Sequence, residues 1–378
     1  MKILAIDDQQ LILLSVEKRL SELGFTVKTA DCGDTGIELF NSFSPDLVVV
    51  DINMPGKSGL EVVQHIREEQ KAKTPIIIMS GNTNEETILK GFGLGIDDYM
   101  KKPVSLNELY ARIVRLIGSP DQTKPVSKNT QIIQKYGVGV VIPCYNESDR
   151  LSGEIFQDFA STHLGYHLCF VNDGSTDNTL EVLHEIRKGN EDFISVYDCE
   201  KNGGKAEAVR LGMLHLAKNT QLEYIGFLDA DLSTDFRDFD VLVKTLESSN
   251  YKIVSGSRIS RMGANITKQS ARKLISTMIN WIIQRILRMP FNDTQCGAKV
   301  MDRDIVEQVF EKKFVTRWLF DVEIFMRLQK INGKKKALRL ICEQPLQRWI
   351  HADGSKLSMK DSIKIVGQLA KIALHYKA

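Results

Sequence analysis

Apolar and polar positions repeat with a regular rhythm through the first third of the chain. A short β-branched run is followed each time by a longer stretch with apolar residues at helical spacing. The runs cover residues 3–6, 25–29, 47–50 and 76–79, with a weaker one at 98–100. Helical patterns lie between them, for example 11–23 and 60–69. Five such repeats predict a (βα)5 doubly wound parallel sheet over residues 1–118, with helices on both faces. Right-handed crossovers bring all the strand C-termini to one edge.

Residues 119–135 read as a linker. Its polar segment, 119–128, carries two prolines and is semi-extended, and a helical extension over 131–135 is compatible with the pattern. A second α/β rhythm begins at 136–137, with strand runs at 138–142, 167–171, 193–196, 224–228 and 253–256. After about residue 260 the alternation gives way to long basic-amphipathic helices. The second domain is expected over 136–345, with an amphipathic helical tail over 346–378.

The chain has 378 residues, 43% of them hydrophobic and 26% charged, which suits a two-domain globular protein. A net charge of +2 gives no general attraction for nucleic acid, and no nucleic-acid reader motif is present. The six cysteines are scattered without a C-x-x-C pair, which argues against a disulfide framework or structural zinc. The N-terminus enters a strand directly, without a signal-peptide pattern, and no apolar stretch approaches the ~20 residues of a membrane span. The expected location is the cytoplasm, with a peripheral position at the inner membrane face compatible with the basic helices.

Acidic residues cluster at the predicted strand ends. Asp7 and Asp8 follow the first strand, Asp51 ends the third, Ser80 ends the fourth, and Lys102 follows the fifth. Three converging carboxylates repel one another and favour a hard divalent cation, best magnesium. Such a pocket can present one carboxylate as a nucleophile toward a phosphoryl group, with Lys102 pairing the product phosphate and Ser80 hydrogen-bonding to it.

A second constellation follows. Pro143-Cys144-Tyr145-Asn146-Glu147 and Asn172-Asp173-Gly174-Ser175-Thr176-Asp177 are polar loops at strand ends, the latter with a helix N-cap signature at Ser175 or Thr176. The carboxylate of Asp173 suits a base or ribose. Gly203-Gly204-Lys205 precedes a helix and suits a phosphate. Asp229-Ala230-Asp231 follows an apolar strand, and in an extended segment its two carboxylates point the same way, toward one cation on a diphosphate.

The first motif set, with Asp51-Ile52-Asn53-Met54-Pro55-Gly56 and Tyr99-x-x-Lys102-Pro103, resembles the receiver domain of two-component response regulators over the whole of 1–118. The resemblance implies a sensor histidine kinase as partner and phosphorylation of Asp51. It implies magnesium held by Asp8, Asp51 and the Asn53 main-chain carbonyl, with Asp7 acting through water, and Ser80 and Tyr99 as a switch pair. Phosphorylation is then expected to change one face of this domain, which would pair two receivers as a homodimer or release the domain that follows.

The second set resembles family 2 glycosyltransferases of the GT-A fold, nearest to polyprenyl-phosphate transferases of the dolichyl-phosphate β-glucosyltransferase kind. Further support comes from Ser255-Gly256-Ser257-Arg258, Asn292-Asp293-Thr294-Gln295-Cys296-Gly297-Ala298-Lys299, Arg317-Trp318-Leu319-Phe320-Asp321-Val322-Glu323 and Asp353-Gly354-Ser355-Lys356. This resemblance spans about 137–360. It implies inverting transfer from a nucleotide-sugar, with UDP-glucose favoured and GDP-mannose next. Pro143, Tyr145, Glu147 and Asp173 would hold base and ribose. Lys205 and Asp229 would face the diphosphate, Asp231 would be the main ligand of manganese or magnesium, and Arg258 would stabilise phosphate. Asp293, and after it Asp321, would stand at the acceptor-activating position, and Arg317 and Trp318 near the acceptor. Two features depart from the pattern: Asn172 stands where family members often have Asp, and the membrane spans of many polyprenyl-phosphate enzymes are missing. A catalytically silent ligand-binding output is the alternative reading.

The basic helical segment holding Lys268, Arg272, Lys273, Arg285 and Arg288 also holds Leu274, Ile275, Met278, Trp281, Ile282 and Ile286. The tail places Met359, Ile363, Val366, Leu369 and Ile372 at helical spacing. A peripheral membrane anchor and a helix docked on its own domain or on a dimer partner both fit this pattern.

Overall fold

A computed structural model describes residues 1–81, 84–120, 132–259, 265–266, 270–349 and 359–376, with side chains except at 265–266, 270–278 and 359–363. Asp353-Gly354-Ser355-Lys356, Lys268 and most of the expected linker lie outside the described residues. The chain divides into two compact units, Met1–Gly137 with Asp158–Tyr166, and Val138–Gln157 with His167–Ala378.

In the first unit, β1 (Lys2–Ile6), β2 (Thr26–Ala30), β3 (Leu47–Asp51), β4 (Ile76–Ser80) and β5 (Asp98–Lys101) form a parallel sheet in the order β2-β1-β3-β4-β5. Alternate residues of each strand face opposite sides. Ile3, Ala5, Val49 and Ile77 enter one core, and Leu4, Ile6, Val48, Val50, Ile76 and Ile78 enter the other. Burial on both faces explains why these strands read as unbroken apolar runs. The order reverses at β1, so the ends of β1 and β3 open side by side.

A short strand, β6 (Val104–Ser105), pairs antiparallel with Ile132 and Ile133 at the start of β7 (Ile132–Cys144). The helical tendency expected near 131–135 is therefore not realised in the described part, 132–135. Ile133 is fully buried and both isoleucines are β-branched, so the ladder to β6 outcompetes a helix turn.

The second unit holds β7 from Val138, β8 (His163–Asn172) from His167, β9 (Ile194–Asp198), β10 (Leu222–Leu228), β11 (Ile253–Ser257), β12 (Asn265–Ile266), β13 (Ala298–Asp302), β14 (Ile341–Pro345) and β15 (Arg348–Trp349). The main sheet runs β14-β11-β13-β10-β7-β8-β9. β13 lies antiparallel between β10 and β11. Beyond residue 260 the chain thus returns to the sheet twice, through β13 and β14, besides forming the expected helices Ser270–Leu287 and Phe320–Asn332.

The tail helix Met359–His375 belongs to the second unit and packs against helix Ser270–Leu287. Leu369 and Ile372 are fully buried. The Tyr376 hydroxyl donates to Glu323 Oε2 at 3.2 Å and accepts from Arg327 Nε at 2.9 Å. Docking on its own domain is therefore what these residues do. Among the described residues no helix is long and apolar enough to cross a membrane.

Candidate functional site

The first site forms where β1, β3, β4 and β5 end. Lys102 is almost completely buried and its Nζ lies 2.6 Å from Asp7 Oδ2 and 2.9 Å from Asp51 Oδ1. Those two carboxylates raise the Lys102 pKa even though burial works to lower it. The other oxygens are held by backbone: Gln9 N–H donates to Asp7 at 2.9 Å and Asn53 N–H to Asp51 at 2.7 Å. Gly59 is required here, because a Cβ would meet the Asp51 carbonyl oxygen at 2.1 Å. Ser80 is fully buried. Its hydroxyl accepts from Asn53 Nδ2 at 3.4 Å and its carbonyl from Lys102 N–H at 2.8 Å. Tyr99, half-buried, is hydrogen-bonded to Ser80. Burial, then repulsion from Asp7 and Asp51, pushes the Asp8 carboxyl up to about 6.

The second site forms at the ends of β7, β8 and β10. Its glycine loop is held from below by Asp173, which accepts Gly203 N–H at 2.7 Å and Gly204 N–H at 2.9 Å. Burial nonetheless raises the Asp173 pKa, with these two amides opposing. Gly174 has φ +62°, and a Cβ there would strike the Asn202 nitrogen at 2.5 Å, so only glycine lets the two loops meet. Asn146 joins this stitching through bonds to Ser175 and Thr176. Ser175 and Thr176 therefore tie loops together; the N-cap of helix Thr179–Arg187 is Asn178, whose side chain makes no capping bond, and Asp177 ahead of it accepts Thr179 N–H at 3.0 Å. Glu147 is half-buried, donates its N–H to Thr179 Oγ1 at 2.8 Å and pairs with Arg150 at 2.7 Å. Pro143 is half-buried, and Tyr145 is exposed on the loop.

Lys205 opens helix Lys205–Ala217, and its Nζ lies 2.5 Å from Asp229 Oδ1. Burial works to lower the Lys205 pKa, but Asp229, Asp321 and Asp231 together raise it. Asp229 and Asp231 do not continue the strand. Leu232 N–H closes a turn on the Asp229 carbonyl at 3.2 Å, and Leu232 has φ 50°. The Asp-x-Asp pair is thus presented by a turn rather than by an extended segment. Asp231, exposed, accepts Ser233 N–H at 2.9 Å. Asp229 is cradled by Gly297, whose carbonyl accepts its N–H at 3.1 Å and where a Cβ would meet its Oδ2 at 2.0 Å.

The two residues expected at the acceptor-activating position are both tied to cations. Asp293 is gripped by Arg258, Nε to Oδ2 at 2.6 Å and Nη2 to Oδ1 at 2.8 Å. Asp321 is buried and accepts from Lys299 Nζ at 2.6 Å. Neither is a free base. Arg317 lays its side chain over Gly204, and its carbonyl accepts Ala206 N–H at 3.1 Å. Trp318 is 67% exposed, while Leu319 and Phe320 are core.

Glu343 and Lys299 carry roles that motif reading misses. Glu343 Oε1 accepts Ser257 Oγ at 2.8 Å and Asp293 N–H at 2.6 Å, and its Oε2 accepts Asn292 N–H at 2.9 Å and Asn292 Nδ2 at 3.1 Å. Both sit in strands, β13 and β14, that the periodicity of the chain does not announce, so nothing in the sequence pattern marked them.

Among the described residues no three His, Cys, Asp or Glu side chains are gathered as a metal site. In each acidic site a lysine ammonium stands against the carboxylates instead. The donor sets themselves, oxygens only, are of the chemistry that a hard divalent cation takes.

A family model for the response regulator receiver domain matches residues 3–114, and one for glycosyl transferase family 2 matches residues 139–310. A dolichyl-phosphate beta-glucosyltransferase of Trichomonas vaginalis is 31% identical over 254 residues, 64% of this chain and 74% of that protein. One from Dictyostelium discoideum is 27% identical over 277 residues, 68% of this chain and 80% of that protein. The cell cycle response regulator CtrA of Brucella ovis is 41% identical over 117 residues, 31% of this chain and half the length of that regulator. With an acidic pocket at the edge of the first sheet, an Asp-x-Asp turn at the edge of the second, and relatives that match each half, the chain belongs to the family 2 glycosyltransferases and carries a response regulator receiver domain ahead of its transferase domain.

Proposed function

We propose that this enzyme transfers glucose from UDP-glucose to a polyprenyl phosphate, under control of phosphorylation at Asp51. The observation that carries the donor reading is the Lys205–Asp229 ion pair at the start of helix Lys205–Ala217, beside a glycine loop that Asp173 holds in place through the Gly203 and Gly204 amides. Asp231 and Asp229 are the residues that would hold manganese or magnesium, which supplies charge neutralisation for a leaving diphosphate. Lys205 and Arg258 bring positive charge to the phosphates, and Asp173 orients the glycine loop. Pro143, Tyr145 and Glu147 line the base side.

The acceptor reading follows from the state of Asp293 and Asp321. With both engaged by cations, an acceptor that is already ionised suits the site better than a hydroxyl needing proton removal. A phosphate oxygen attacks the anomeric carbon, the bond to the diphosphate oxygen breaks, and the nucleotide diphosphate leaves. A lipid acceptor brings the second unit to a membrane surface, and Trp281, 62% exposed, with exposed Arg285 one turn later, suits that surface.

In the receiver, Asp51 is the phosphoacceptor for a sensor histidine kinase. Asp8, Asp51 and the Asn53 carbonyl would hold magnesium, with Asp7 assisting, and the ion supplies charge neutralisation for the incoming phosphoryl group. Lys102 pairs the phosphate, and Ser80 with Tyr99 reports it. Leu89 and Phe92, both exposed on helix Glu85–Leu94, support pairing of two receivers. The test supplies UDP-glucose, GDP-mannose, manganese and a polyprenyl phosphate, with and without acetyl phosphate, and follows nucleotide release and lipid product. Preference for UDP-glucose, and a rate that responds to acetyl phosphate in wild type but not in Asp51→Asn, is the expected result. Nucleotide release with no lipid product would overturn the acceptor assignment.

A further inference from the structure

Lys299 has a fully buried side chain on β13, and its Nζ makes three hydrogen bonds. It donates to Asp321 Oδ1 at 2.6 Å, to the Cys296 carbonyl at 2.8 Å and to the Thr294 carbonyl at 3.0 Å. The lysine thus reaches back along its own chain and pins the turn that precedes its strand. That turn holds Gly297, against which the Asp229 carboxylate lies, and begins beside Asp293, which holds Arg258. Registry places it there: Ala298 pairs with Leu228 across β13 and β10, so Gly297 falls opposite Asp229.

We propose that Lys299 and Asp321 are a positioning pair, which fixes the 294–297 turn under Asp229 and so sets how strongly a divalent cation adds to the binding of a nucleotide diphosphate. This rests on the reading of Asp229 as a residue of the donor and metal site. Burial of an ion pair is a poor source of stability, since apolar residues of similar volume serve as well or better. A pair placed under a functional carboxylate supplies orientation instead, as groups behind metal ligands do.

The experiment measures UDP affinity by calorimetry, with and without manganese, in wild type and in the double variant Lys299→Met/Asp321→Leu, with thermal melts to establish folding. The expected result is a folded variant whose metal-free UDP affinity is retained while the manganese-dependent gain shrinks about tenfold or more. An unchanged gain overturns the inference. Equal losses with and without metal also overturn it, because they mark a general scaffold role. Should the double variant fail to fold, Lys299→Arg keeps the charge but replaces a compact ammonium by a planar fork. Its manganese gain is expected to fall as well, and a wild-type gain in it overturns the proposal. Wild type that binds UDP equally with and without manganese overturns the metal reading of Asp229, and this inference with it. Wild type that binds no UDP overturns the donor reading instead.

Discussion

Arg258 holds Asp293 with both ends of its guanidinium fork and with its own backbone N–H, which donates to Asp293 Oδ2 at 2.9 Å. The end of β11 is thereby locked to the segment before β13. Burial opposes ionisation of Asp293, but Arg258 outweighs it and holds the carboxyl below the usual carboxylate range. Planar, bidentate geometry of this kind is specific to arginine.

That pairing predicts a pH dependence. The folded pKa of Asp293 lies below its unfolded value of about 3.9, so between the two the unfolded chain binds more protons and stability rises with pH. The contribution is complete above the unfolded value and is lost as pH falls through the folded one. Asp293→Asn should cost about 2 kcal/mol at pH 7, less than a fully buried pair because Arg258 keeps 25% of its side chain exposed. Melts from pH 7 to pH 3 should show the gap between variant and wild type narrowing toward acid.

Removing the lysine of the receiver pocket should have a larger effect. Lys102→Met leaves Asp7 and Asp51 buried without their cation and should cost about 3–5 kcal/mol. Millimolar magnesium should restore part of the lost melting temperature. A melt indifferent to magnesium would count against these carboxylates as cation ligands.

At the second site, Lys205→Met removes the cation facing Asp229. UDP affinity should fall about tenfold to a hundredfold, the size of one charge-assisted hydrogen bond. Uridine, which has no phosphate, should bind the variant and the wild type alike. A parallel loss for uridine would place Lys205 on the base side.

The docked tail is open to a separate check. Tyr376→Phe deletes the hydroxyl shared by Arg327 and Glu323 and should cost about 1 kcal/mol. Hydrogen exchange should quicken across helix Met359–His375 and stay unchanged in β1 and β3. Uniform quickening would mean the hydroxyl supports the whole chain and not the tail.

Much was legible from residue order alone. The five receiver strands, the convergence of Asp7, Asp8, Asp51, Ser80 and Lys102, and Lys205 at a helix start all follow from periodicity and the rule that parallel strand ends share an edge. These are local patterns, and a doubly wound sheet leaves little freedom in where they go. The strand at Ala298–Asp302 was not legible, because its second residue is a lysine and its nearest partner in the sheet, Ser255 opposite Lys299, lies 44 residues away.

What folding alone decided is which opposite charge each acid meets. Asp293 and Asp321 look alike as candidate bases in the chain, yet one is closed by Arg258 from 35 residues away and the other by Lys299 from 22. Asp173 spends both oxygens on the amides of Gly203 and Gly204, and Glu343 gathers the Asn292–Asp293 backbone from about 50 residues on. A carboxylate's chemistry depends on partners within a few ångströms, whereas sequence spacing reports only neighbours along the chain. The order of residues therefore specifies the receiver sheet, the early strands of the second sheet and the acids at their edges, and the packing of distant segments specifies which acids stay available for chemistry.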